Sequence, residues 1–146
     1  MQTVTIIFRR SHGLGSLALR TILWSQWSHC GILDGDHVIE AAAGKGVVRV
    51  PLEEFKQVGS KLEEITVTVP DHVASKILES ARSQIGKSYD YPGLFAIAVR
   101  HRDWHKKDRW TCSELVAWAF ESADYPLVRK DSWRVTPQDI YLPFYR

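Results

Sequence analysis

The chain has 146 residues, a net charge of +2 and two cysteines, so it can bury a core unaided and is not a disulfide scaffold. Composition is that of an ordinary globular protein apart from six tryptophans. No apolar run approaches membrane-spanning length, and Arg9 and Arg10 follow the first apolar run, where a secretory signal would put its charge before. The expectation is a single domain over residues 1–146, made as a soluble cytoplasmic chain, whose export would need a phage or secretion route.

Thr3 to Phe8 alternates and is β-branched, which predicts a strand with Val4, Ile6 and Phe8 on one face. Ser11 to Gly15 reads as a turn, and Leu17 to Trp24 as a short helix. Gln26 to Leu33 is the second expected strand, with Trp27, His29, Gly31 and Leu33 on one face and Ser28, Cys30 and Ile32 on the other. Asp34-Gly35 predicts a two-residue hairpin turn, and Asp36 to Ala41 the return strand. Ala42 to Gly46 is a small flexible loop before a strand at Val47 to Val50. Pro51 then opens a helical turn through Phe55, and Ile65 to Val69 is a further strand.

Pro70 sits at a helix start, where its missing N–H costs nothing. Val73, Ile77, Ala81 and Ile85 form the core-facing stripe of that helix, and Gly86 takes its C′ position. Lys87 to Gly93 reads as a connector and Leu94 to Val99 as a short apolar segment. A helix beginning at Cys112 runs to about Ala123, followed by a proline-bearing tail with little regular structure. Helices and strands joined mainly by hairpins argue an α+β fold, an antiparallel sheet packed on helices.

Two stretches carry chemistry. In Thr111-Cys112-Ser113-Glu114 the Thr and Glu have capping-box spacing, which makes Cys112 the first helical residue. Unpaired amides and the helix dipole there favour thiolate, the nucleophilic form, whereas the plainer reading is a small buried apolar residue. In the hairpin, a turn centred on Asp34-Gly35 sets His29 directly opposite Glu40, within reach of an imidazole–carboxylate hydrogen bond. Such a carboxylate fixes the tautomer and leaves the other ring nitrogen as a base. A three-residue loop would set Ala41 there instead, leaving His29 as a core histidine and Glu40 as a solvent-facing residue.

From Arg100 to Arg109, five Arg or Lys stand against two Asp, a local +3 that exceeds the whole net charge. That decade is either a solvated loop or a basic rim for an anionic substrate or surface. Nucleic acid is not expected, because the aromatics do not interleave with the basic residues. Nor is a metal: Cys30 and Cys112 form no close pair, and His101-x-x-x-His105 stands alone in the basic loop.

Trp27-Ser28-His29-Cys30-Gly31-Ile32, Val38-Ile39-Glu40-Ala41 and Gly46-Val47-Val48 resemble the histidine half of NlpC-type papain-like cysteine hydrolases. Ala81 to Gln84, Gly86-Lys87-Ser88-Tyr89-Asp90 and Thr111 to Val116 resemble the cysteine half. The histidine half comes first, as in the circularly permuted branch that includes YiiX-like proteins and the lecithin:retinol acyltransferase group. The resemblance covers most of residues 3–120 and implies a permuted papain-like fold with no cofactor. It further implies Cys112 as nucleophile, His29 as base, Glu40 as the orienting third group and Tyr89 near the oxyanion, with Ser113 and Trp27 lining the substrate site. The implied activity is hydrolysis of an amide (peptide or isopeptide) bond through a thioester, cell-wall peptides being one substrate class. Two other readings stay open: a lipid-directed thioesterase, amidase or acyltransferase, and a non-catalytic module binding through loop 100–109.

Overall fold

The computed structural model describes residues 1–99 and 108–144. Its elements in chain order are β1 (Gln2–Arg10), α1 (Leu14–Leu23), β2 (His29–Asp34), β3 (His37–Ala42), β4 (Gly46–Pro51), α2 (Leu52–Lys56), β5 (Lys61–Val69) and α3 (Asp71–Ser83). They continue with β6 (Ser88–Tyr89), α4 (Tyr91–Val99), β7 (Arg109–Trp110), α5 (Cys112–Glu121) and α6 (Pro137–Tyr141). The first five strands make one antiparallel sheet in the order β4-β3-β2-β1-β5, and β6 and β7 pair in parallel. The expected α+β architecture is therefore present.

Alternation decides which side of the sheet is covered by what. Val4, Ile6 and Phe8 of β1, with Cys30 and Ile32 of β2, face the larger core, where α3 contributes Ile77 and Ala81 and α5 contributes Leu115, Val116 and Phe120. Full burial of each large side chain is worth roughly 1.5–3 kcal/mol, so this side holds α5 to the sheet. The intervening residues Ile7 and Val38 build a smaller cluster on the other side with Val50 and Phe55 of α2.

Several expectations are corrected. The hairpin turns on Gly35-Asp36: Asp34 pairs with His37 as a strand residue, and Gly35 has φ +65° at the first central position, the pattern of a type II′ turn. The second strand begins at His29, three residues later than read from alternation, because Gln26 to Ser28 lie outside the ladder. Ile85 is exposed, and with Gln84 as the C-cap Gly86 falls one position beyond C′. The segment after Tyr89 is a helix, α4, started by the Asp90 carboxylate accepting from the Gly93 amide. The tail also has regular structure: Thr136 and Asp139 form a reciprocal capping box that starts α6, and Ile140 is buried in the core.

Asp34 shows why the turn shifted. Its buried carboxylate accepts from Arg49 Nε at 2.9 Å and from Arg82 of α3, which ties the hairpin end to both β4 and a helix. The Arg82 and Arg49 guanidinium groups hold its pKa down at about 2. Both arginines are partly exposed, so solvent screens them and Asp34→Ala is expected to cost about 2 kcal/mol at neutral pH. For a lowered carboxylate pKa this stability is present above the unfolded value of roughly 4 and is lost as pH falls through about 2. Urea unfolding at pH 7 and at pH 2 checks this: the gap between wild type and variant should close at the lower pH.

The candidate active site

Cys112 stands where the capping residues place it. The Thr111 hydroxyl accepts from the Glu114 amide at 3.3 Å, so α5 begins at Cys112 with its first N–H groups unpaired within the helix. The side chain is 6% exposed.

The histidine half meets it from the sheet. His29 Nε2 and Glu40 Oε2 are 2.8 Å apart, both buried. The expected contact is made, but in another register. Pairs in the hairpin put Leu33 opposite Val38, so continuing that register His29 is diagonal to Glu40, with Gly31 directly opposite it. A slip of two residues keeps both side chains on the same face, which is why the pair still forms. Gly31 leaves room for it: a Cβ there would lie 2.6 Å from Val38 Cγ1 and 3.5 Å from Glu40 Cβ. Phe55 stacks on the imidazole with centroids 5.5 Å apart, and the Arg9 guanidinium lies over the Phe55 ring at 4.9 Å.

With Nε2 committed to Glu40, Nδ1 is the ring nitrogen left to serve Cys112. Burial opposes the charged ring, but the influence of Cys112 and the hydrogen bond to Glu40 outweigh it and raise the His29 pKa to about 9. The influence of Cys30 and of His29 pushes the Cys112 thiol well below its ordinary value against the opposing effect of burial. Glu40, despite burial, is lowered by its bond to His29. The electrostatics therefore favour a thiolate–imidazolium pair backed by a carboxylate.

The remaining candidates divide. Tyr89 is brought close: β6 pairs it with Trp110, two residues before the cysteine, and burial and the nearby Cys112 charge raise its pKa, keeping the phenol protonated. The segment leading to it is held on β4, where the Val47 amide donates to Lys87 O at 2.8 Å and the Gly86 amide to Val47 O at 2.9 Å. Gly46, at φ +79°, permits that approach, since a Cβ would collide with the Lys87 carbonyl. Ser113 is spent elsewhere, donating its hydroxyl to the Val135 carbonyl and so tying the tail to α5. Trp27 is 2% exposed among Phe8 and Tyr141, on the core side and not beside His29, so it offers substrate no surface. The basic decade falls almost wholly on residues 100–107, outside the described residues. Sequence reasoning missed Phe55 and Arg9 as neighbours of His29, because only tertiary packing and the β1–β2 register bring them to it.

Among the described residues no group of three or more His, Cys, Asp or Glu side chains is placed to hold a metal ion. None of their helices is long and apolar enough to cross a membrane.

A cysteine at a helix mouth, with a histidine–carboxylate pair on an antiparallel sheet that precedes it in the chain, is the arrangement of a papain-like thiol hydrolase in permuted order. The family of permuted papain-like amidase enzymes (YaeF/YiiX, C92 family) matches residues 2–133, and this chain belongs to it. It is accordingly a cysteine hydrolase of the amidase or peptidase type. A crystal structure described as metalloprotein yiiX from Escherichia coli O157:H7 is similar, with a TM-score of 0.66 and 24% identity over 88% of this chain and 69% of that one. At that identity the likeness is one of fold. No curated protein matches the chain.

Proposed function

We propose that the chain hydrolyses an amide bond in a peptide substrate through a thioester on Cys112. The observation that carries this reading is the buried His29–Glu40 hydrogen bond on β2, the strand against which the Cys112 helix packs, with the thiol pKa pushed down and the imidazole pKa pushed up. The Cys112 thiolate adds to the carbonyl carbon, and the oxyanion is met by the Cys112 amide at the helix mouth and the protonated Tyr89 phenol. His29 gives its proton to the departing amine as the C–N bond breaks, leaving a neutral base. Water then attacks the thioester as His29 takes its proton, and the acid and the thiolate are released. Glu40 holds the ring throughout.

The substrate class to assay first is the stem peptide of the bacterial cell wall, with simple acyl amides beside it. Hydrolysis in the presence of hydroxylamine should divert product to the hydroxamate without slowing amine release, and acid-quenched enzyme should carry the acyl mass on Cys112. Amine release with neither hydroxamate nor adduct would remove the thioester from the mechanism.

A further inference from the structure

α2 is five residues long, too short to hold itself by its own hydrogen bonds, yet it carries the ring that lies on His29. Both of its ends are tied down. The Leu52 amide donates to the Asp36 carbonyl at 3.0 Å, in the hairpin turn. At the other end the Phe55 carbonyl, one of the last in the helix and out of reach of any helical amide, accepts from Arg9 Nη1 at 2.7 Å. Arg9 Nε donates to the Ser11 hydroxyl at 3.1 Å, and that hydroxyl donates on to Gln57 Oε1 at 3.2 Å. One guanidinium thus joins β1 to the chain on either side of Lys56. The β1–β2 register sets Arg9 opposite His29, so the residue that anchors Phe55 and the residue that Phe55 covers are cross-strand partners.

The bond to Glu40 fixes where Nε2 points but leaves the ring free to tilt about that contact. A flat face against the imidazole removes this freedom, and the Phe55 ring lies with its plane 30° from that of His29. We propose that Phe55 is a positioning residue of the site, its ring fixing the plane of the His29 imidazole, and that Arg9 acts through it by clamping the end of α2. This rests on the reading of His29 as the acid–base group. The neighbours Ile7, Val38 and Val50 ask only for an apolar side chain at position 55. What an aromatic ring adds is a planar, electron-rich face, which favours imidazolium over imidazole. Arg9 is likewise more than a charge, because a lysine has no fixed fork to hold both acceptors at once. The charged and titratable groups around the imidazole are Glu40 on β3, Arg9 on β1 and Cys112 on α5, with Lys45 in the β3–β4 turn acting on Glu40. On α2 itself, Glu54 and Glu53 form surface ion pairs with Lys45 and Lys56.

The test is the titration of the His29 imidazole, followed through its Hε1–Cε1 NMR signal, which His29→Gln identifies by its absence. Wild type is compared with Phe55→Leu, Phe55→Tyr, Arg9→Lys and the Phe55→Leu/Arg9→Lys double variant, with thermal melts alongside. Phe55→Leu keeps apolar bulk but loses the face, so the midpoint should move down by about half a pH unit or more. Phe55→Tyr keeps the face and should stay within a few tenths of wild type. Arg9→Lys keeps the charge but loses the fork, and should move the midpoint the same way by less. In the double variant the shift should be no larger than in Phe55→Leu alone, because Arg9 acts only through the ring. A residue that merely fills the smaller core changes the melting temperature and leaves the midpoint in place. The proposal is overturned if Phe55→Leu leaves the midpoint unmoved, if Phe55→Tyr moves it as far, or if the two shifts add. Should Phe55→Leu fail to fold, Arg9→Lys decides alone: a downward shift supports the clamp and an unmoved midpoint overturns it. Because the titration needs no substrate, its outcome is independent of whether an amide is ever cleaved. Failure of the thioester reading would appear in the hydroxylamine experiment instead.

Discussion

Cys112→Ala should leave less than about one part in ten thousand of the wild-type turnover, while the protein melts within a few degrees of wild type. The size of the loss follows from what remains. An alanine at the helix mouth keeps the amide and Tyr89 that would meet an oxyanion, but no atom is left to attack the carbonyl. Oxyanion stabilisation and binding alone sustain only a small residue of catalysis in enzymes of this design. The fold should tolerate the change because the thiol is small and sits at the edge of the core, and Thr111 still caps α5. His29 loses its anionic neighbour but keeps Glu40 at 2.8 Å, so the imidazole is not stranded. Purified variant assayed on the substrate that wild type cleaves, with circular dichroism melts alongside, gives the answer. Turnover at the wild-type rate would remove Cys112 from the chemistry.

How much of this was legible in the sequence depends on the range over which each signal acts. The Cys112 helix mouth is a four-residue signal, Thr-x-x-Glu before an apolar run, and local spacing carried it to the correct residue. The same signal in Thr136-Pro137-Gln138-Asp139 went unread because Asp stands where the pattern names Glu or Gln, and α6 was lost with it. The His29–Glu40 contact was legible only to within its parity. Alternation assigns faces, but it cannot distinguish a turn at Asp34-Gly35 from one at Gly35-Asp36, and two arginines from distant elements decide that choice. Arg9 was out of reach altogether, because its place opposite His29 comes from the β1–β2 register and leaves no trace in local pattern.

Glu40→Gln separates orientation from charge in the same site. The wild-type profile of kcat/KM should be a broad bell. Its acid limb should lie well below the ordinary thiol range, where Cys112 loses its proton, and its alkaline limb near 9, where His29 loses its own. Glutamine fills nearly the same space, but it removes the charge that supports the imidazolium and can present its amide N–H to the ring, favouring the wrong tautomer. The loss in kcat should be about 10²–10⁴-fold, and the alkaline limb should move down by a unit or more. The stability consequence has a definite sign. The raised His29 contributes stability in full below roughly 6.5, and that share is lost as pH rises through about 9. Glu40, lowered, contributes above roughly 4, and its share is lost as pH falls further. The stability gap between wild type and Glu40→Gln should therefore be widest near pH 5 to 6 and narrow toward pH 10. Equal rates and an unmoved alkaline limb in the variant would leave the carboxylate as a packing group only, because a residue that merely fills space has no means of shifting the titration of its neighbour.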